Sequence, residues 1–371
     1  MLIAAAIMSA DQQLRIVSLL PSITEILCEL GLSEQIVGIT HECDYPPSLF
    51  SRPDPPRVVT TSEINPFTMT QEEIHDAVCG SLKNGQSLYG LNGEILRQIR
   101  PNVIFTQSLC DVCAVSYPVV LDTCAKLLGG PSLSISEIGA PGTCTDGSWV
   151  YKDGNELNPL VISMEPTNLK ECMRTFHVAA DALGRPDIQT RAEEVTSRIS
   201  EGLETIRRVV KEKSNKRKPK VAFLEWHNPI FCGGHWIADM LEIAGAEYVM
   251  PCQSGDRSIA MTDEDFQALD VDYILIGPCG FSLSRSVKDT LSLWNEKPWW
   301  KEMTAVKEGR VFALDGNSYY ARPGPRLMQG AAIMAACIHG EEVASALGVK
   351  LCPPAGYCQI SMDMYDTKVF S

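Results

Sequence analysis

Residues His41, Glu42, Cys43, Asp44, Tyr45 and Pro46 put an imidazole, two carboxylates, a thiol and a phenol into one short stretch. Imidazole and thiolate are ligands for Zn²⁺ or iron. His41, Cys43 and Asp44 are therefore candidate metal ligands, against the plainer reading of a polar turn. Cys110 and Cys113 form a C-x-x-C pair, which could clasp one metal between two thiolates or form a redox disulfide. No second C-x-x-C stands at zinc-ribbon spacing. His41 and Cys43 with Cys110 and Cys113 would complete a tetrahedral set; packed thiols are the competing reading.

A second group is Glu225, Trp226 and His227, followed by Gly233, Gly234, His235 and Trp236. Paired glycines permit close backbone approach and could open a helix whose amides receive an anion. The alternative is a tight turn with packed aromatics. Tyr319, Tyr320, Arg322 and Arg326 share a proline-pinned loop. Aromatic and guanidinium groups together suit a large planar ligand with acidic substituents. Trp294, Trp299 and Trp300 read as packing residues.

Positioning these groups requires strands ahead of them. RIVSLL (15–20), QIVGIT (35–40), PNVIFTQ (101–107), LVISME (160–165), KVAFLEW (220–226), EYVMP (247–251), DYILIG (272–277) and RVFALDG (310–316) are short, apolar and often β-branched, as strands are. PSITEILCELG (21–31) reads as a helix, with Ser22 and Glu25 at capping-box spacing and Gly31 as the stop. Alternating strands and helices predict an α/β fold with a mainly parallel sheet. Residues 168–213 have helical spacing, interrupted near Gly184 and Pro186, and KEKSNKRKPK (211–220) reads as a solvated basic linker. Residues 94–107 align without gaps to 264–277, and 26–39 echo 239–251, which predicts two similar lobes.

Ligands of open parallel sheets bind beyond the carboxyl ends of the strands. The loops there hold Ser22, His41 to Tyr45, residues 108–118, Glu225 to Trp236, Phe281 and Tyr319 to Arg326. Histidine, cysteine, tyrosine, tryptophan and glycine concentrate in them, as in a binding cleft.

The segments RIVSLLPSITEILCELG, IVGITHECDYP, RPNVIFTQSLC, VAFLEWHNPIFCGGHW and GRVFALDGNSYYARPGPR together resemble cobalamin-type substrate-binding proteins of ABC importers, over about residues 14–347. The resemblance implies a class III periplasmic-binding-protein-like body. That is two Rossmann-like α/β lobes joined by a long rigid helix, with a corrinoid (cobalamin-like) or similar large cofactor held between them. The expected divisions are an extension at 1–13, lobes at 14–165 and 219–347, a helical bridge and linker at 166–218, and a poorly ordered tail at 348–371. The expected ligand contacts are Ser22, His41, Glu42, Asp44, Tyr45, Glu225, Trp226, His227, Gly233, Gly234, His235, Trp236, Phe281, Tyr319 and Arg322. The alternative function is a metal-dependent hydrolase or redox enzyme using the histidine, cysteine and glutamate groups of the same loops.

Composition bounds these readings. The chain has 371 residues, 45% hydrophobic and 21% charged, with a formal net charge of −14. That acidity argues against nucleic acid as partner, since phosphate binding needs a basic face. A small molecule is the expected partner; oligomeric state is left open. No apolar run reaches membrane-spanning length. MLIAAAIMSADQQ lacks a basic n-region and a lipobox cysteine, so it reads as a frayed extension and the cytoplasm is the expected compartment, with secretion and a membrane permease left open. The fourteen cysteines read as mostly free thiols.

Overall fold

The computed structural model describes residues 13–66, 68–84, 88–107, 120, 159–213, 217–350 and 356–366. The chain divides into two compact units. One comprises Met1–Asn65, Glu73–Pro166 and Met173–Thr196; the other comprises Pro66–Glu72, Thr167–Cys172 and Ser197–Ser371.

The first unit is built on a five-stranded sheet in the order β3-β2-β1-β6-β7. Its strands are β1 (Ile16–Ser18), β2 (Ile36–Ile39), β3 (Arg57–Val58), β6 (Val103–Thr106) and β7 (Leu160–Ser163), and every pairing is parallel. The sequences IVS, VIFT and LVIS are almost wholly buried, the continuous apolar run expected when helices cover both faces. A separate antiparallel pair joins β4 (Thr60–Ser62) and β5 (Tyr89–Leu91). Gly38 is required by packing on β2: a methyl there would lie 2.8 Å from Ile99 Cδ1 and 2.9 Å from Val17 Cγ2.

The helix Pro21–Glu29 does not use the predicted capping box. Leu20 occupies the cap position without a side-chain bond, and Ser22 and Glu25 are buried inside the helix. Pro21 opens the helix instead, because proline lacks the amide hydrogen that would go unbonded there and its φ is already helical.

The second unit repeats this scheme and adds to it. Strands β8 (Lys220–His227), β10 (Glu247–Tyr248), β12 (Tyr273–Ile276) and β13 (Val311–Leu314) are parallel. Their order, β10-β8-β12-β13, repeats β2-β1-β6-β7. The predicted echo is a true structural correspondence: Gly93–Ile99 leads to β6, and Asp263–Gln267 leads to β12, at one constant offset. Both helices are capped alike. Asn92 accepts from Ile95 N at 3.1 Å and Thr262 from Asp265 N at 3.1 Å, each satisfying an otherwise unpaired amide.

β8 is long enough to serve twice. Its first residues pair with β10, and its last fold back antiparallel against β9 (Ile230–Cys232), which pairs with β11 (Ala260–Met261). The core beneath contains Ala222, Leu224, Phe266, Ile274, Ile276, Leu293 and the fully buried Trp300. Cys232 and Cys252 are joined as a disulfide inside this core. Among the described residues, Cys28, Cys79, Cys279, Cys337 and Cys358 carry free thiols.

The helical segment consists of two helices, Leu169–Leu183 and Pro186–Lys213. The break falls at Gly184, whose φ of 63° is the left-handed conformation glycine tolerates. At 28 residues the second helix is about 42 Å long.

The expected disordered tail is corrected. Tyr357–Ile360 forms β14, antiparallel to β13, and Met362–Asp366 forms a helix. Tyr357 and Ile360 are buried, and Tyr365 stacks on Trp294 at 4.4 Å. The edge of β13 offers unpaired backbone groups, and the tail supplies the partners.

Candidate functional site

The loops at the carboxyl ends of β8, β12 and β13 are knitted into one surface of the second unit. Gly277 N donates to Leu224 O at 3.0 Å, Cys279 N to Glu225 O at 3.3 Å and Asn317 N to Phe281 O at 3.0 Å. A side chain at Gly316 would strike Pro278 O at 2.0 Å, so glycine is what lets the third loop cross the second.

Trp226 is half-buried on this surface, with Nε1 donating to Asn228 O at 3.1 Å. Its ring lies 5.1 Å from that of Phe281, and the Arg285 guanidinium stands 4.5 Å from the Phe281 ring. Arg285 is itself fixed by Asp289 at 2.7 Å and by Met69 O at 2.9 Å, and also donates to Pro66 O. The indole is thus backed by a ring and a held cation, an arrangement that removes the ordering cost of an aromatic contact. Phe281 is 2% exposed and acts as support.

His227 lies behind the surface, 2% exposed. Gln71 Nε2 stands 3.0 Å from its Nδ1, and Gln71 Oε1 accepts from the amides of His227 and Asn228 at 3.2 and 3.3 Å. Gln71 also donates to Asp289 at 3.2 Å. Burial lowers the His227 pKa to about 4, so the ring is neutral at pH 7.

Glu225 accepts from Ser258 Oγ at 2.6 Å. Burial raises its carboxyl above the ordinary value, a push opposed by the Ser258 bond and the Gly234 amide. Tyr248 donates to Gly233 O at 2.7 Å. Gly234 is in contact with the protein's own backbone: a methyl there would meet Ser258 N at 2.4 Å and Asp256 O at 2.6 Å. Gly233 is as close to Phe223 and Ile237. The close approach of Gly234 therefore serves the 253–258 loop, and that of Gly233 the packing of Phe223 and Ile237. The following helix, Ile237–Ile243, is short and begins at the buried Trp236, whose Nε1 donates to Tyr320 O at 2.8 Å. His235 has a φ of 54° and stacks on Trp236 at 5.6 Å; burial lowers its pKa, with Arg257 adding to the effect.

Arg322 is 5% exposed and donates to Asn317 Oδ1 at 2.9 Å. Tyr319 is half-buried, with Arg326 5.7 Å from its ring, and its ring edge lies where a methyl on Gly356 would approach to 2.6 Å.

In the first unit the loop after β2 exposes His41, Glu42, Asp44 and Tyr45 and buries Cys43. His41 Nδ1 is 2.7 Å from Thr60 Oγ1, and its ring stacks on Tyr89 at 5.9 Å. Cys43 Sγ is 3.1 Å from Thr24 Oγ1, which donates to Ser18 Oγ at 2.9 Å. The imidazole and the thiol of this loop thus have separate partners. Ser22 is buried. Cys110 and Cys113 lie outside the described residues, and among the described residues no three histidine, cysteine or acidic side chains gather as metal ligands.

Gln71, Ser258, Arg285 and Asp289 were not foreseen. Gln71 is 156 positions from its partner His227, and nothing in local spacing marks such a pair.

Comparisons with known proteins accord with this architecture. The family described as periplasmic binding protein matches residues 157–317, which is less than half of the chain. No curated protein matches the sequence. Among solved structures, a possible iron-binding periplasmic solute-binding protein of Staphylococcus epidermidis is 19% identical with a TM-score of 0.56, over 87% of this chain and 98% of that one. The periplasmic haem-binding protein of Roseiflexus sp. RS-1 in apo form is 18% identical at 0.56, over 91% and 100%. The periplasmic vitamin B12-binding protein of Vibrio cholerae is 15% identical at 0.53, over 90% and 97%. The α/β fold is that of the periplasmic binding proteins.

Proposed function

We propose that this chain is a substrate-binding protein that works with an ABC permease and captures a corrinoid or a comparably large cofactor. The observation that carries the reading is the knitted loop surface of β8, β12 and β13, with the half-buried Trp226 mounted on Phe281 and Arg285. An aromatic face fixed before the ligand arrives favours a large ring system, since stacking is gained without ordering the protein. The structurally similar proteins described as binding haem or vitamin B12 support that ligand class.

Tryptophan fluorescence of the full chain, titrated with hydroxocobalamin and separately with haemin, tests the reading. One of them should quench saturably at a 1:1 ratio, and Trp226→Ala should weaken that ligand about tenfold or more. Equal affinity in the folded variant would remove Trp226 from the site.

A further inference from the structure

We infer that the second unit carries a separate site for a phosphate dianion or phosphomonoester, formed by Arg207, Lys211, Lys218 and Glu242. This part of the chain departs from its acidity. Residues 207–220 hold eight lysines and arginines against one glutamate, in a protein of net charge −14. Such a run normally reads as a solvated face, and four of these eight cations have acidic neighbours. Arg208 pairs with Glu212, Arg217 with Asp272 and Lys220 with Asp270. Arg207 bridges Glu204 and Glu242 at 3.6 and 3.4 Å. Lys211 and Lys218 have no acidic partner among the described residues.

These two lysines border a pocket of about 290 Å³, together with Arg207, Glu242, Val210, Ile243 and Gly245. Three cations and one carboxylate leave the lining at +2. A phosphomonoester carries about −1.5 to −2 near neutral pH and offers three acceptor oxygens, so charge and donors match. Lysine binds phosphate as a point charge. Val210 and Ile243 make one side of the pocket apolar.

The competing effect is the negative end of a helix, since the pocket lies near the last turns of Pro186–Lys213 and Ile237–Ile243. In the shorter helix that charge is largely discharged. Ala244 N donates to Met240 O, Gly245 N to Glu242 O, and Ala244 O is 2.8 Å from His339 Nε2. Strands β8, β12 and β13 begin at this edge of the sheet and end at the surface that carries Trp226. The pocket is thus distinct from the proposed cofactor surface.

The test is calorimetric titration of the full chain with inorganic phosphate and with glycerol 3-phosphate, in non-phosphate buffer at constant ionic strength. One saturable site is expected. K211Q/K218Q should weaken it about tenfold or more, and K211R/K218R should retain it. In the unaltered protein, phosphate should also slow acetylation of Lys211 and Lys218 but not of the exposed Lys288, which keeps the test decisive if the glutamine variant fails to fold. The inference is overturned by an absence of saturable binding, by unchanged affinity in the folded glutamine variant, or by equal protection from sodium chloride. Vesicles separate the sources. Binding to phosphatidic acid but not phosphatidylcholine, together with glycerol 3-phosphate binding, would identify a lipid headgroup as the phosphomonoester. Vesicle binding without any response to the small phosphates would overturn the pocket in favour of a general surface charge effect.

Discussion

His227 and Glu225 stand two residues apart on β8, and burial moves their proton affinities in opposite directions. For His227 the folded value of about 4 lies below the ordinary 6.5. Between those values the unfolded chain binds more protons than the native one. The associated stability is therefore complete above about pH 6.5 and is lost as pH falls toward 4, by roughly 3 kcal/mol. Urea unfolding at pH 7 and pH 4 should show this loss, and His227→Gln should reduce it. An equal loss in both proteins would mean that His227 does not titrate as described. Gly234 makes a second residue-level prediction. Gly234→Ala drives a methyl into backbone at Ser258 and Asp256, where no side chain can swing aside. A cost of about 1–3 kcal/mol is expected by chemical denaturation. A variant as stable as the parent would show that the 253–258 loop yields freely.

At the scale of elements, the β-branched runs and their alternation with helices made the strands and the repeated lobe pattern legible. VIFT and YILI occupy corresponding central strands because both must be buried on two faces. The tail was misread because composition there, rich in proline and glycine, masks the short strand YCQI. Its structure depends on an edge offered by β13, which tail residues alone do not reveal. The site was partly legible. Loops after strands were identified, but burial was not, so His227, Trp236, Phe281 and Arg322 sit behind the surface while Trp226 stands on it. A side chain's depth depends on partners such as Gln71 and Arg285, which lie far away in sequence. The tail gives a direct prediction. A chain ending at Lys350 loses the burial of Tyr357 and Ile360 and should be destabilised by roughly 3–6 kcal/mol. It should also self-associate as concentration rises, through the uncovered edge of β13. Unfolding midpoints and sedimentation velocity would measure both, and unchanged values would deny the tail its role.

For the whole molecule, the α/β fold is that of the periplasmic binding proteins. The described part of each unit ends its parallel strands in loops rich in polar and aromatic groups. The central claim is that this body holds one large cofactor per chain. Equilibrium dialysis of the full chain against hydroxocobalamin and against haemin, with the bound chromophore read by its absorption spectrum, tests it most directly. The account predicts retention of one of the two at one molecule per chain, saturating in the micromolar range or below, about −8 kcal/mol or stronger. Folded protein that retains neither at high micromolar concentration would contradict it.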